Sequence, residues 1–511
     1  MTALADGQIF ETVNPATGEV IATFPVLGEK EVNEAVARAR DGAAWWAGLP
    51  SRDRRQRLLA WKSHITRYMD RAAQLIHDEG GKPLEDATLE IILTVLHLDW
   101  AARNAERVLR PRRVPSGIAM INQAASLSYE PLGVIGVIGP WNYPMFTPMG
   151  SIAYALAAGN AVVFKPSELT PAVGEWLVRS FNEVLSQVFG DPPTGPAGSV
   201  LQLVTGDGFT GDALARSGVD KVAFTGSPGT ARKVMAAAAT NLTPVLAECG
   251  GKDALIVDSD ADLDAAADAA AWGGMSNAGQ TCIGVERVYV HSSVYQSFLE
   301  KLRDKVAALR PGDDPAASYG PMTLTSQVQV IERHISDAMA QGARAEIGGL
   351  TSVRAPYVDP VILTGAPESS AAVREETFGP TLTVTAVPSL DEGVRLANES
   401  GYALGSSVFT RSRQAGMRAA RSLRAGMTAI NSVVAFAAVP SLPFGGSGES
   451  GFGRIHGADG LRAFARAKSV TRQRMRPLIV TTSFTRSQTD MSRLVRLITL
   501  LHGRQYRPRS R

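Results

Sequence analysis

The sequence predicts an α/β fold with two doubly wound sheets, and three observations lead to that prediction. The chain has 511 residues, which is too many for a single domain, since a domain typically has ~100–200 residues. Its residues are 45% hydrophobic and 20% charged, with a mean hydropathy of −0.01, a composition typical of globular proteins. From about residue 127 onward, short apolar segments alternate with helical ones, as in parallel sheets covered by helices.

The order of elements follows from the periodicity of apolar residues. Between residues 31 and 105 they recur at intervals of three and four, which predicts helices at 31–40, 52–71 and 73–80. Strands of a first sheet follow at GVIGVIG (133–139), AVVFKP (161–166), VLQLVTG (200–206) and KVAFTGS (221–227). A second series of strands starts at residue 245 and continues near 254–257, 287–290, 382–386 and 406–409.

Two extended segments, 118–129 and 464–474, belong to neither series. Isolated two-stranded elements are marginally stable. We therefore expect these segments to form an arm that pairs with a second copy of the chain in a homodimer or homotetramer.

The charge of the chain is concentrated at its C-terminal end. Residues 472–511 contain ten arginines and one acid, Asp490, so this tail carries +9 and the other residues carry −6 of the net +3. We therefore expect no nucleic-acid partner for the main body. No apolar run reaches the ~18–20 residues that a membrane-spanning helix needs. The first residues, MTALADGQIF, do not resemble an export signal. A cytoplasmic location is therefore predicted.

The chain has only two cysteines, Cys249 and Cys282, so a disulfide framework is not expected. Cys282 lies in SNAGQTCIGVE, where flanking glycines indicate a tight turn and a backbone amide that could face an oxyanion. It is either a nucleophile or a small buried apolar residue. Glu248, 34 residues earlier, ends an apolar strand and is either a general base or the ion-pair partner of Lys252.

Other candidate residues follow the strands of the first sheet. In GPWNYP (139–144), the Asn142 amide could donate to an oxyanion, or Asn142 could simply form a turn. In KPSE (165–168), Lys165 and Glu168 could bind ribose hydroxyls or form a surface ion pair. FTGSPGTAR (224–232) is predicted to be a strand, a glycine turn and the start of a helix, an arrangement that suits a phosphate group. TGDGFTG (205–211) matches the GxGxxG pattern, but this pattern alone is weak evidence for a dinucleotide site.

Together these segments resemble the aldehyde dehydrogenase superfamily, specifically its hydrolytic, NAD(P)-dependent, non-CoA-acylating type. The resemblance extends from NPATGE (14–19) to GLRAF (460–464). Seven motifs occur in the family's order, and the interval between Glu248 and Cys282 matches as well. They are PWNYP, KPSE, FTGS, ECGGK (248–252), GQTC (279–282), EETFGP (375–380) and PFGGSGESGFGR (443–454).

The resemblance implies a role for each candidate residue. Cys282 would be the nucleophile, Glu248 the base that activates water, and Asn142 with the Cys282 amide the oxyanion hole. The cofactor would be NAD, with NADP as an alternative. Its implied contacts are Lys165 and Glu168 at the adenosine ribose, Gly226 and Ser227 at the pyrophosphate, Glu376 and Phe378 at the nicotinamide ribose and ring, Trp141 and Gly208 along the cleft, and Pro140, Ser167 and Phe224 beside them.

The resemblance also implies how the chain is divided. We expect Rossmann-like NAD-binding residues at 1–112 and 132–250, an oligomerisation arm at 113–131 and 462–474, and catalytic residues at 251–461. Residues 475–511 would form a basic tail. Within it, apolar residues at helical spacing over 491–502 predict an amphipathic helix that either contacts a membrane or packs on protein.

Several positions depart from the family pattern. Gly150 replaces a common aromatic residue and, with Thr147, predicts a tunnel for a long or broad aldehyde. His456 and Ser151 lie where many relatives have a glutamate and a lysine of a proton relay, so His456 is either part of a relay or structural. Cys249 is interpreted as a packing residue.

Alternative functions remain at this stage. A CoA-acylating dehydrogenase is disfavoured because Glu248 is present, and a silent scaffold of the same fold is disfavoured because Cys282, Glu248 and Asn142 occur together. A metal site is not expected, since the seven histidines have no ligand spacing.

Overall fold

The computed structural model describes residues 8–477 and 483–503. By the density of its internal contacts the chain divides into two compact units. The first unit comprises 1–109 and 131–466, and the second comprises 110–130 and 467–511. The predicted α/β fold is found in the first unit, where two mostly parallel sheets are covered by helices.

The first sheet has six strands and carries most of the candidate residues. Five strands are parallel, and a short sixth strand, Gly451–Phe452, runs antiparallel beside Val245–Cys249. Assigning residue 245 to the second series was wrong, because Val245–Cys249 pairs with Lys221–Gly226 of the first sheet. The order is Gly451–Phe452, Val245–Cys249, Lys221–Gly226, Val134–Ile138, Ala161–Lys165 and Leu201–Leu203.

The second sheet has seven strands, of which one edge strand, Arg344–Ile347, is antiparallel to its neighbour. Four of these strands were predicted, whereas the short strands Arg344–Ile347, Val361–Thr364 and Ala429–Ile430 were missed. The order is Arg344–Ile347, Val361–Thr364, Thr381–Val387, Val285–His291, Asp253–Val257, Ser406–Phe409 and Ala429–Ile430. The central strands are buried on both faces, as parallel sheets require.

Three two-stranded sheets complete the strands described in the first unit. Their pairs are Ile9–Val13 with Val20–Pro25, Val353–Arg354 with Tyr357–Val358, and Tyr402–Ala403 with Ser447–Gly448.

Fifteen α-helices are described in the first unit. They are Glu29–Gly48, Ser51–Arg67, Met69–Gly80, Leu84–Leu109, Phe146–Ala157, Pro171–Phe189, Gly208–Arg216, Pro228–Ala239, Leu263–Met275, Tyr295–Ala307, Thr325–Ala340, Ala371–Arg374, Leu390–Asn398, Arg413–Ser422 and Gly457–Ala463. The single helix expected at 52–71 is two helices, because the chain leaves helical geometry at Tyr68 (φ −107°, ψ 27°). Ile65 and Ala72 on either side are both buried, so the apolar spacing does not reveal the break.

The second unit contains a three-stranded sheet and one helix. The strand order is Ala465–Gln473, Gln123–Pro131 and Arg112–Val114. The extended segment expected from residue 118 begins later, because Ile118–Met120 form a 3-10 turn. The helix Gln488–His502 agrees with the amphipathic pattern predicted for 491–502, and none of its residues is buried. The arginines that follow residue 503, which belong to the predicted basic tail, lie outside the described residues.

Candidate active site

The candidate residues meet because of the direction of the strands. Val134–Ile138, Ala161–Lys165, Lys221–Gly226 and Val245–Cys249 pair in parallel, so their carboxyl ends lie on one edge of the sheet. Open α/β sheets bind ligands at this edge. The segments that follow these strands are the motifs GPWNYP, KPSE, FTGS and ECGGK, which the sheet therefore aligns in one row.

Cys282 follows a turn with unusual backbone geometry. After the helix Leu263–Met275, Asn277 (φ 53°) and Ala278 (φ 55°) adopt the left-handed conformation, which is costly for residues other than glycine. Gln280 stabilises the turn, because its Nε2 donates to the carbonyls of Asn277 (3.0 Å) and Pro321 (3.3 Å). Its Oε1 accepts the backbone N–H of Thr323 (2.9 Å). The turn is thereby held from both sides ahead of Cys282.

Asn142 is buried and connected to this turn. Its Nδ2 donates to the carbonyl of Gln280 (2.9 Å), two residues before Cys282. A side-chain amide has two N–H groups. The bond to Gln280 uses one of them and fixes the orientation of the amide beside the turn that leads to Cys282.

Cys282 and Glu248 line the same cavity, which has a volume of about 340 Å³. This volume lies at the low end of those typical of ligand sites. Most of the wall is apolar or aromatic. Its lining includes Leu89, Leu93, Tyr143, Phe146, Thr147, Trp272, Ile283, Val433, Val434, Ala435, Ala437, Ala438, Phe444 and Ile455. Leu89 and Trp272 are also 43% and 44% exposed, so they lie where the cavity meets solvent.

Glu248 lies near the end of its strand, in a largely closed environment. Burial raises the pKa of its carboxyl group well above the usual value, and Arg454 opposes that shift. Among the described residues, Oε1 has no hydrogen-bond partner. The segment that contains Gly445 passes so close that a Cβ at this glycine would lie 2.6 Å from Oε1. A carboxylate with a raised pKa is a stronger base, which suits proton abstraction from water.

The Cys282 thiol also has a raised pKa. Burial is the main cause, the carboxyl groups of Glu248 and Glu376 add to it, and a hydrogen bond from the Ile283 backbone opposes it. The thiolate is the nucleophilic form of cysteine. The thiol of the free protein is therefore neutral near neutral pH and has to lose its proton before it reacts.

The KPSE segment ends the strand Ala161–Lys165. Lys165 is buried, its Nζ donates to the carbonyl of Pro166 (2.9 Å), and it lies 3.9 Å from Oε2 of Glu168. Burial lowers the pKa of Lys165, and Glu168 opposes that effect. Ser167 donates to the same Glu168 oxygen (3.4 Å). The partly exposed Glu168 carboxylate is thus held at the edge of the sheet.

The FTGS segment leads into the helix Pro228–Ala239. Ser227 caps this helix, since its Oγ accepts the N–H of Thr230 (3.3 Å), and Phe224 packs its ring beside Gly226. Helix N-termini favour phosphate groups. Within 4 Å of a Cβ built on Gly229 or Gly208, no described atom is found, so both glycines border open space. These residues fit the pyrophosphate of a dinucleotide.

The EETFGP loop faces the GPWNYP loop. The rings of Phe378 and Trp141 are 5.6 Å apart in an edge-to-face arrangement, next to Pro140. Glu376 Oε1 accepts the N–H of Gly251 (3.1 Å), and burial raises the pKa of Glu376 to about 8. This loop therefore lies beside both the Glu248 segment and the Asn142 segment.

Sequence reasoning missed the residues that hold the EETFGP loop. The carboxylate of Glu286 accepts the N–H groups of Thr377 (2.9 Å) and Phe378 (3.0 Å) and forms a buried ion pair with Lys252. Lys252 was considered only as a partner of Glu248. The lysine of ECGGK could have indicated a buried ion pair at this place. Its partner Glu286 could not be identified from the motif, because the two residues are distant in sequence.

The structure changes the interpretation of Gly150 and His456. Gly150 does not line the cavity; a Cβ there would lie 2.7 Å from Nε2 of His456. His456 fills this space and packs on His97, with ring centroids 4.0 Å apart. Burial lowers the pKa of His456 well below its usual value. The His456 ring thus occupies the space that Gly150 leaves, and His456 lines the cavity together with Thr147 and Cys249.

Comparisons with known proteins agree with this geometry. The family model described as the aldehyde dehydrogenase family matches residues 2–470. The chain belongs to the aldehyde dehydrogenase family. A 4,4'-diapolycopene aldehyde oxidase from a Methylomonas species is 38% identical over 455 residues, which cover 89% of this chain and 84% of that protein.

Two further relatives support the family. A probable NADP-dependent succinate-semialdehyde dehydrogenase from Sinorhizobium fredii is 34% identical, with 89% of this chain and 91% of that protein covered. The crystal structure of an NAD-dependent aldehyde dehydrogenase from Sinorhizobium meliloti matches with a TM-score of 0.87 and 32% identity, covering 94% of each chain.

The resemblance, the α/β fold class and the predicted oxidoreductase activity are thus confirmed. This aldehyde dehydrogenase oxidises aldehydes with a nicotinamide dinucleotide, through the cysteine thioester mechanism general to the family. Oligomeric assembly is typical of the family as well. In the part of the chain that the structure describes, no helix is both long and apolar enough to cross a bilayer.

Proposed function

We propose that this aldehyde dehydrogenase oxidises a long, mainly apolar aldehyde to the free carboxylic acid and prefers NAD. The main support is the single cavity in which Cys282 and Glu248 meet an otherwise largely apolar wall. An apolar chain is stabilised by burial against such a wall, at roughly 0.8 kcal/mol for each CH₂ group.

The chemistry follows from the positions of three residues. Cys282 Sγ, once deprotonated, bonds to the aldehyde carbon, and the carbonyl oxygen becomes an oxyanion that accepts hydrogen bonds from Asn142 Nδ2 and the Cys282 N–H. NAD, when bound, supplies the acceptor for the hydride that leaves this carbon. Glu248 then removes a proton from water, the hydroxide attacks the thioester carbon, and the Cys282 thiolate departs from the acid.

The cavity wall favours an uncharged substrate. Its ionisable lining residues include the carboxyl groups of Asp86, Glu90 and Glu248, and of the described residues no lysine or arginine lines it. A substrate carboxylate such as that of succinate semialdehyde would find no opposite charge there. The relative named as a 4,4'-diapolycopene aldehyde oxidase is therefore the better guide to the substrate class.

The preference for NAD rests on Glu168. A carboxylate beside the adenosine ribose accepts hydrogen bonds from its hydroxyl groups and repels a 2′-phosphate. Lys165 lies 3.9 Å away and is turned toward the Pro166 carbonyl, so it offsets this repulsion only in part.

The decisive experiment measures kcat/KM for a panel of aldehydes with NAD and NADP in parallel. The panel contains straight-chain aldehydes of increasing length, benzaldehyde and succinate semialdehyde. We expect kcat/KM to rise with chain length and to be higher with NAD. A higher value for succinate semialdehyde than for every long aldehyde would refute the substrate class, and a higher value with NADP would refute the role of Glu168.

Two further proposals concern the second unit. The strand Ala465–Gln473 is exposed along almost its whole length, which supports its use as an arm between copies in a homodimer or homotetramer. The helix Gln488–His502 exposes the apolar residues Val495 (58%) and Leu500 (74%) in a segment rich in arginine. An exposed apolar face with basic neighbours supports peripheral contact with an anionic membrane.

A further inference from the structure

Lys82 forms a buried ion pair with Glu90, which also lines the cavity, and neither residue has been given a role in the reaction. Their side chains are 2% and 0% exposed, and Lys82 Nζ lies 2.6 Å from Glu90 Oε2. Burying two opposite charges costs about as much as their attraction returns, so such a pair is weak evidence for stability. Its other contacts indicate what it does.

Lys82 contacts the segment that carries Asn142. Its Nζ donates to the backbone carbonyl of Asn142 (2.8 Å) and lies 4.0 Å from the centre of the Tyr143 ring. The same carbonyl accepts a second hydrogen bond from Asn277 Nδ2 (3.2 Å). The peptide group that follows Asn142 is therefore held by Lys82 and by the turn before Cys282.

Glu90 holds the far end of the same segment. Its Oε1 accepts the backbone N–H groups of Met145 (2.8 Å) and Phe146 (3.0 Å), where the helix Phe146–Ala157 begins. A carboxylate at a helix N-terminus is favourable because it satisfies free N–H groups and faces the positive end of the helix dipole. The pair thus holds residues 142 and 145–146 at once.

The segment is also joined to the turn that precedes the nucleophile. Asn142 Nδ2 donates to the Gln280 carbonyl, and the Tyr143 hydroxyl forms a hydrogen bond with Thr281 Oγ1 (3.0 Å). A shift of the segment would therefore move the Asn142 amide relative to Cys282. In an active site, a displacement of 1 Å can cost about 100-fold in rate.

We propose that Lys82 and Glu90 are positioning residues, which hold the Asn142 amide where it donates to the oxyanion formed on Cys282. Neither residue reacts. Their effect falls on the step in which the thiohemiacetal forms and loses hydride, and cofactor affinity does not depend on them.

The test compares Lys82→Met with Lys62→Met in single-turnover experiments, with enzyme in excess over decanal and saturating NAD. Lys62 also pairs with an acid on the helix Leu84–Leu109, Asp99 at 2.8 Å, and among the described residues its ammonium group has no hydrogen bond or ion pair with the Asn142 segment. We expect Lys82→Met to lower the rate constant of NADH formation at least tenfold, with the Kd for NAD within twofold of the parent. A rate within twofold of the parent, or an equal loss in Lys62→Met, would overturn the proposal.

A second variant separates positioning from stability. Lys82→Met alone leaves the Glu90 charge buried and unpaired, which destabilises a protein strongly. The double variant Lys82→Met with Glu90→Gln removes both charges and keeps an acceptor for the N–H groups of Met145 and Phe146. We expect it to recover the Tm but to remain at least tenfold slow, because the Asn142 carbonyl still lacks its donor. Recovery of the Tm and the rate together would show that the pair is only structural.

Discussion

Replacing Gly250 with alanine tests whether Glu376 holds the cofactor. A Cβ at Gly250 would lie 1.9 Å from Oε1, 2.2 Å from Oε2 and 2.3 Å from the carboxyl carbon of Glu376. Such contacts do not occur in proteins, so the carboxyl group must move by about 1 Å or more. That movement also breaks its hydrogen bond from the Gly251 N–H, which is 3.1 Å long.

The expected effect follows from the hydrogen bonds that Glu376 would lose. A hydrogen bond to a charged group contributes about 1.5–3 kcal/mol, and 1.4 kcal/mol corresponds to tenfold in affinity. If Glu376 binds the nicotinamide ribose, Gly250→Ala raises the Kd for NAD roughly 10- to 100-fold. Calorimetric titration at pH 9 measures it, because the pKa of Glu376 is raised to about 8 and the carboxyl is ionised at pH 9.

A matched control separates this effect from a general cost of adding a methyl group. Gly48 ends the helix Glu29–Gly48, and a Cβ added there would have no described atom within 4 Å, so Gly48→Ala should leave the Kd for NAD unchanged. Alkylation of Cys282 by iodoacetamide at the parent rate would show that the Gly250→Ala site is still folded. A Kd within twofold of the parent under those conditions would refute the assignment of Glu376.

Four further results are expected. Cys282→Ala should abolish aldehyde oxidation but keep NAD binding. Glu248→Gln should form one equivalent of NADH and accumulate an acyl-enzyme that mass spectrometry detects. Steady turnover in either variant would contradict the role proposed for that residue. The Kd for NAD should fall as the pH rises through about 8, because the ionised carboxylate of Glu376 accepts hydrogen bonds better than its protonated form. Glu376→Gln should make the Kd independent of pH in this range. A pH dependence that persists in this variant would show that another group is responsible. A chain ending at Met475 should lose co-sedimentation with anionic vesicles at low salt, and equal binding of both chains would dismiss the membrane proposal.

Much of the site could be predicted from the sequence because its residues lie in short, distinctive segments. Cys282, Glu248 and Asn142 each have glycine or proline within two residues, and these residue types mark turns, because glycine adopts conformations that other residues avoid and proline fixes φ. The alternation of apolar strands and helices indicated a parallel sheet. Parallel strands then imply that the motifs after them share one edge, without further information from the structure.

Other features were decided only by contacts between distant residues. The short strand Gly451–Phe452 joins the sheet beside Glu248, and His456 fills the space left by Gly150. Neither can be deduced from local periodicity, since a two-residue strand has no repeat and a cavity is filled by whichever side chain packs there.

The polar contacts that orient the site are also made between residues that are distant in sequence. Lys82 and Glu90 lie on the helical layer, about sixty residues before the Asn142 segment that they contact. Lys82 lies in the link between the helices Met69–Gly80 and Leu84–Leu109, and Glu90 lies in the second helix, so their spacing in the sequence does not signal a buried pair. The amino-acid sequence by itself thus indicated the candidate reactive residues and the sheet edge on which their segments lie. Only the tertiary structure decided how they are oriented, because orientation depends on hydrogen bonds between residues that folding alone brings together.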